Sequence, residues 1–137
     1  MAALGRRVFA VVSDNPVDLV HAHSPILCGM PAHAVARRLG LPSVYEIRAF
    51  WEDAAESQGR DHAGSARYRA IRGAETSLVR RVDAVVAICE GIRGDLLARG
   101  VPEERVSVVP NGVDTDRFVP RPRDDELRRR LGFEGKT

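Results

Sequence analysis

Lysine is almost absent from this sequence: Lys136 is the only one, and every other basic residue is arginine. Beside abundant alanine and glycine, that skew points to a GC-rich coding bias. An arginine cluster such as Arg128-Arg129-Arg130 therefore reads as a solvated helix face, not a nucleic-acid site. The net charge of only +2 excludes a global polyanion partner, and no nucleic acid is expected. No apolar run approaches the roughly 18 residues needed to cross a bilayer, so no transmembrane helix is expected. Cysteine is scarce: Cys28 and Cys89 lie far apart and form no CxxC pattern. Both sit among apolar neighbours, and the expectation is two buried thiols in a reducing cytosol. Also lacking are GxGxxG, a Walker loop, HExxH, GxSxG and any zinc-finger spacing, and with them the dinucleotide, P-loop and metalloprotease readings.

What is present suffices for one compact domain. A chain of 137 residues with 44% hydrophobic and 29% charged residues is an ordinary globular composition, too short for two cores. Arg6-Arg7 before Val8-Phe9-Ala10-Val11-Val12 has the charge order of a signal peptide. The apolar run is short, however, and Ser13-Asp14-Asn15-Pro16 is a poor cleavage region, so this stretch reads as the end of an amphipathic helix. Strands are predicted over 17–22, 43–48, 83–89 and 106–109. Helices are predicted over 29–39, closed by Gly40, over 66–81, from Glu90 to Arg99-Gly100, and over 124–131. Residues 52–65 are polar and read as a site-type loop with some helix. Alternating strands and helices predict an α/β fold: a partial Rossmann-like domain with a parallel sheet of about four strands flanked by helices. The glycine-rich first turn of a Rossmann unit is not found, so the sheet is expected to present an open edge that would permit self-association.

In an open parallel sheet, ligands bind beyond the carboxyl ends of the strands. That rule singles out His21, His23, Glu46, Arg48, Glu90 and Asn111. His21 and His23 alternate on one strand face and would begin a metal site. No third ligand with convincing spacing follows, since His33 and His62 are isolated; no metal is expected, with His21 buried and His23 free to bond a ligand. Arg48-Ala49-Phe50-Trp51-Glu52-Asp53 is the most site-like segment. Its guanidinium suits phosphate or carboxylate, and Trp51 suits a sugar face. An alternative stays open, in which Phe50 and Trp51 cover a core edge while Glu52 and Asp53 cap the next helix. Glu90 either supports a helix N-terminus or marks an anion site there.

Val108-Val109-Pro110-Asn111-Gly112-Val113-Asp114-Thr115-Asp116-Arg117-Phe118 is the most informative stretch. A short strand breaks at Pro110, and Asn111-Gly112 predicts a positive-φ turn. With Asp18-Leu19-Val20-His21-Ala22-His23-Ser24 and Arg81-Val82-Asp83-Ala84-Val85-Val86-Ala87-Ile88 before it, the chain resembles the family-4 retaining glycosyltransferases of the GT-B fold. The run from Val44 to Asp53 is similar to a narrower group associated with exopolysaccharide and exosortase gene clusters.

The resemblance implies transfer of a sugar from a nucleotide-sugar donor to an acceptor, with retention at the anomeric carbon. Residues 1–120 would be a partial N-terminal, acceptor-side domain, and 121–137 the hinge and start of the donor domain. No resident cofactor is implied, because the nucleotide sugar is a co-substrate held mainly by that second domain. Arg48 occupies roughly the place where many relatives carry a sugar-contacting histidine, and His23, Trp51, Glu52, Glu90 and Asn111 complete the candidate substrate-binding set. The catalytic residues are left unassigned. The partners implied are a glycan or lipid-linked acceptor and the nucleotide sugar. The expected location is the cytoplasm, with peripheral association at the inner membrane face left open. The rival reading is a free-standing Rossmann-like binding module without catalysis.

Overall fold

The structure, a computed structural model, describes residues 1–59, 62 and 64–134. Part of the polar stretch 52–65 and the end of the tail, 135–137, lie outside the described residues. Eleven elements follow the order α1 (Ala2–Asp14), β1 (Val20–His23), α2 (Ile26–Leu39), β2 (Ser43–Ile47), α3 (Trp51–Ser57), α4 (Ala66–Val79), β3 (Ala84–Ala87), α5 (Glu90–Ala98), a 3-10 turn (Glu103–Arg105), β4 (Val106–Val108) and α6 (Asp125–Arg130). The four strands form one parallel sheet in the order β1-β2-β3-β4, as the alternation predicts. Among the described residues, no helix is long and apolar enough to cross a membrane.

Every strand pairs with its sequence neighbour, and same-handed crossovers then place the connecting helices on a single face. The burial pattern agrees. Val20, Tyr45, Ile47, Val85, Ala87 and Val106 are buried on one face, where the register aligns Tyr45 with Val85 and Val85 with Val106. On the other face His21 and His23 are exposed, and Val44, Glu46, Ala84 and Val86 are half-buried. The main core joins the covered face to Leu78 and Val79 of α4 and Leu96 of α5. A fully buried leucine or isoleucine contributes about 1.5–3 kcal/mol, so this cluster holds the layers together.

Local chemistry sets the boundaries. Helix α2 ends where Gly40 takes φ 70°, with the Leu41 N–H returning to the Ala36 carbonyl at 2.9 Å. It begins at Ile26, three residues before the Gly29 the sequence suggests, because Pro25 supplies the extended residue that opens it. Strand β3 starts after Asp83, whose carboxylate is engaged elsewhere. Asp83 Oδ2 accepts from the Ser43 N–H at 2.7 Å and the Ser43 hydroxyl at 2.8 Å, which holds its pKa below the ordinary carboxylate range. Ser43 Oγ also lies 2.9 Å from His33 Nδ1, and burial together with Arg37 lowers the His33 pKa. Helix α6 is capped by Asp124, which accepts from the Leu127 N–H at 2.8 Å, and it ends in three arginines that suit the helix dipole.

Two expectations fail. The Asn111-Gly112 pair adopts no positive φ; the turn lies further on, where Asp114 Oδ1 accepts from the N–H groups of Asp116 and Arg117 at 3.1 and 3.2 Å. An Asx-type turn thus replaces the glycine turn. Both cysteines are exposed, not buried: Cys28 lies on the outward side of α2, and Cys89 is the residue that opens α5.

Gly29 owes its place to contact, not to conformation. A Cβ there would stand 2.5 Å from Tyr45 Cε2 and 2.6 Å from Leu78 Cδ2, both buried, whereas a Cβ at Gly73 in α4 would meet nothing within 4 Å. Gly29→Ala is therefore expected to destabilise by about 1–3 kcal/mol through overpacking. Gly73→Ala should instead stabilise by about 0.5–1 kcal/mol by restricting the unfolded chain. Chemical denaturation of the two variants checks the contrast, and a Gly29→Ala protein as stable as wild type would contradict the packing described.

Candidate functional site

The carboxyl ends of β1 and β2 and the segment leaving β4 meet at one rim. His23 is the last residue of β1, and the register sets it beside Glu46 of β2. His23 Nδ1 lies 3.2 Å from Glu46 Oε1, and His21 Nε2 lies 3.4 Å from Glu46 Oε2. Arg48, just past β2, has Nε 4.0 Å from Glu46 Oε1 and Nη2 3.5 Å from Asn111 Oδ1. Its backbone N–H reaches Ser24 Oγ at 3.2 Å. Imidazole, carboxylate, guanidinium and amide thus form a chain of polar groups across three elements. More than half of the Arg48 side chain remains open to solvent, 54%, so its fork is available to an incoming anion or hydroxyl.

The other candidates separate from this rim. Trp51 begins α3 and is exposed, but it faces a groove of about 200 Å³ shared with Ala54, Gln58, Arg67 and Ile71. Glu90 lies in the first turn of α5 with its carboxylate 3.7 Å from Arg93, supporting that helix and largely exposed. Glu52 is corrected outright: the structure buries it completely, so its carboxylate does not reach the rim. Arg99 explains this. Its Nη2 lies 2.8 Å from Glu52 Oε1, its Nε donates to Asp95 Oδ2 at 2.7 Å, and its guanidinium stacks 3.7 Å from the centre of the buried Phe50 ring. Neither Glu52 oxygen accepts an aligned hydrogen bond among the described residues, so charge attraction dominates the contact. Asp53 turns outward, where Tyr68 donates to it at 2.9 Å. Phe50 therefore covers the core, while the helix-capping role suggested for Glu52 is replaced by a buried ion pair.

Beneath the rim, the Tyr45 hydroxyl donates to Glu75 Oε1 at 2.5 Å. Burial raises both pKa values; the Tyr45 bond works against this for Glu75 but does not overcome desolvation. Of the groups at the rim, Glu46 is one that the strand-end rule singles out, whereas Ser24 is not among the sequence candidates. Alternation puts His21 and His23 on one face of β1, and the β1–β2 register then sets Glu46 within reach of both. His21 is likewise exposed, not buried.

A family model for glycosyltransferase family 4 matches residues 1–117. The chain belongs to this family. It is 35% identical over 119 residues to a GDP-mannose-dependent alpha-mannosyltransferase of Mycobacterium tuberculosis, covering 87% of this chain and 30% of that protein. It is 34% identical over 130 residues to the enzyme of the same name from Mycolicibacterium smegmatis, covering 95% and 33%. A D-inositol 3-phosphate glycosyltransferase of Nocardiopsis dassonvillei is 34% identical over 123 residues, covering 88% and 27%. The chain spans about a third or less of the length of these relatives.

The Glu75 environment generates a pH prediction. Because its folded pKa is raised, the native state holds the proton more tightly than the unfolded chain, and stability falls as pH rises from the ordinary glutamate range through the raised value. Glu75→Gln mimics the neutral carboxyl and still accepts from Tyr45. The variant is expected to melt several degrees above wild type at pH 8 and close to it at pH 4. Circular-dichroism melts across this range check it; an equal difference at both ends contradicts the reading. The opposite acid sensitivity from Asp83 is common to both proteins and cancels in the comparison.

Proposed function

We propose that residues 1–120 are the acceptor-side domain of a retaining glycosyltransferase of GT-B architecture, and that residues 121–137 begin the link to a donor-binding domain. The observation that carries this reading is the convergence of His23, Glu46, Arg48 and Asn111 at the carboxyl ends of the strands, in a chain matched by the family from residue 1 to 117. Departure of the nucleotide builds negative charge on its diphosphate, which positioned cations must stabilise while donor and acceptor are held face to face. Arg48 is assigned to an acceptor phosphate or to the transferred sugar, and His23 and Asn111 to hydroxyl contacts. GDP-mannose is the first donor to test, because two of the relatives are named for it. The acceptor is assigned to the glycan or lipid-linked class, in polysaccharide or glycolipid synthesis in the cytoplasm. Trp51 and Glu90 are left to packing and helix support.

In the enzyme containing its donor domain, Arg48→Ala is expected to lower kcat/KM by about 2–4 kcal/mol, the scale of one lost charge-assisted stabiliser. Steady-state kinetics beside thermal melts check this. A variant that melts much lower yet keeps its kcat/KM below the melting range would make Arg48 a structural partner of Glu46. The 137-residue chain alone is expected to bind no UDP- or GDP-sugar tighter than about 100 μM, or −5.5 kcal/mol. One saturable calorimetric isotherm below that value would place donor binding in this domain and favour a self-sufficient binding module.

A further inference from the structure

We propose that His21, His23 and Glu46 form a binding site for a divalent transition-metal ion of the zinc class. Each residue offers one ligand atom, and the three atoms lie within 4.8 Å of one another. A tetrahedral ion bound at about 2.0–2.1 Å to nitrogen and oxygen requires ligand atoms about 3.3 Å apart. Each histidine already has one carboxylate oxygen at about that spacing: His21 Nε2 to Glu46 Oε2 is 3.4 Å, and His23 Nδ1 to Glu46 Oε1 is 3.2 Å. These are the two different oxygens of Glu46, so an ion held by one of them and its nearer histidine requires the second imidazole to close the remaining gap. The rings stack at 4.9 Å with 12° between their planes, and both are open to solvent, so rotation about their side-chain bonds closes it without disturbing the core.

The backbone supplies the preorganisation. His21 and His23 share a strand and a face, and Glu46 stands beside His23 on β2, which is itself paired on both sides. Two imidazoles and one carboxylate match zinc, and also cobalt or nickel, better than magnesium or calcium, which prefer an all-oxygen shell. Fourth and further positions open to solvent on the face that the helices leave bare. One group opposes the ion: the Arg48 guanidinium, 4.0 Å from Glu46. That opposition is a second handle on the site. An ion that occupies Glu46 releases Arg48 towards Asn111 and towards any anionic acceptor, which links metal occupancy to the rim without making the ion part of the transfer step.

The test uses the untagged 137-residue chain freed of metal, titrated with zinc by calorimetry and with cobalt by visible absorption. One ion per chain is expected, with the intense visible bands of low-coordinate cobalt. His21→Asn, His23→Asn and Glu46→Gln should each weaken binding by about tenfold or more, at least the scale of losing a supporting ligand partner. Arg48→Ala should tighten it by several-fold. A Cys28→Ser/Cys89→Ser variant, which removes the two exposed thiols, should bind as wild type does. Absence of saturable binding overturns the proposal, as does binding that survives the three ligand substitutions or disappears with the cysteines; in each case the cluster is a carboxylate accepting from two imidazoles. The readout is independent of transferase activity, so its failure leaves the assignment of Arg48 to the acceptor standing.

Discussion

Among the described residues, the buried cation Arg99 organises the packing. Arg99 is enclosed between α5 and α3, and its charge is met by Glu52 and Asp95 while its flat face lies on Phe50. Burying such charges is unfavourable unless they are paired, and taking away one partner alone strands the other at a cost of about 3–5 kcal/mol. The pairing therefore dictates where α3 starts: Glu52 must point inward, Phe50 must sit beneath the guanidinium, and the chain leaving β2 has little freedom between Ile47 and Trp51. Arg48 and Ala49 project outward because the residues that follow are held inside. The rim inherits its geometry from an ion pair buried beneath it.

Beside that pair, the Tyr45–Glu75 contact places a second carboxyl in the same interior, its pKa raised by burial. The two arrangements differ in kind. One meets charge with an opposite charge; in the other, burial favours the protonated form. Both let buried polar groups sit beneath the rim, and a well-packed underside is what a site at strand tips would require if its side chains are to meet a substrate in a fixed arrangement.

Much of the fold was legible because the strands obey a simple rule. The apolar run from Ala84 to Ala87 and the alternation of strands with helices announce a parallel sheet, and Gly40 stops its helix for a stereochemical reason that needs no tertiary knowledge. The site was less legible, for physical reasons tied to particular residues. Glu52 has the composition of a site residue; only the three-dimensional meeting with Arg99, 47 positions later, turns it inward. Glu46 reaches both histidines through register, which is a property of two strands together and not of either run. Asn111-Gly112 has strong local turn propensity, yet Asp114 provides two backbone hydrogen bonds nearby and takes the turn from it. The cysteines mislead because an apolar neighbourhood in sequence is not one in space: Cys28 is on the outer side of its helix.

The strand order has a consequence for how the chain acquires this structure. With β1, β2, β3 and β4 adjacent in the sheet as in the sequence, no strand waits for a distant partner, and each new strand extends a template already laid down. Each pairing closes only the segment between consecutive strands, so its loop-closure cost stays below that of a sheet whose neighbours are further apart in sequence. During synthesis, within these residues, each strand finds the partner that precedes it already made. The buried cation arrives late in that order, on α5, after β2, α3 and α4 have emerged. Final locking of the segment that carries Arg48 is thereby deferred until the third crossover is complete.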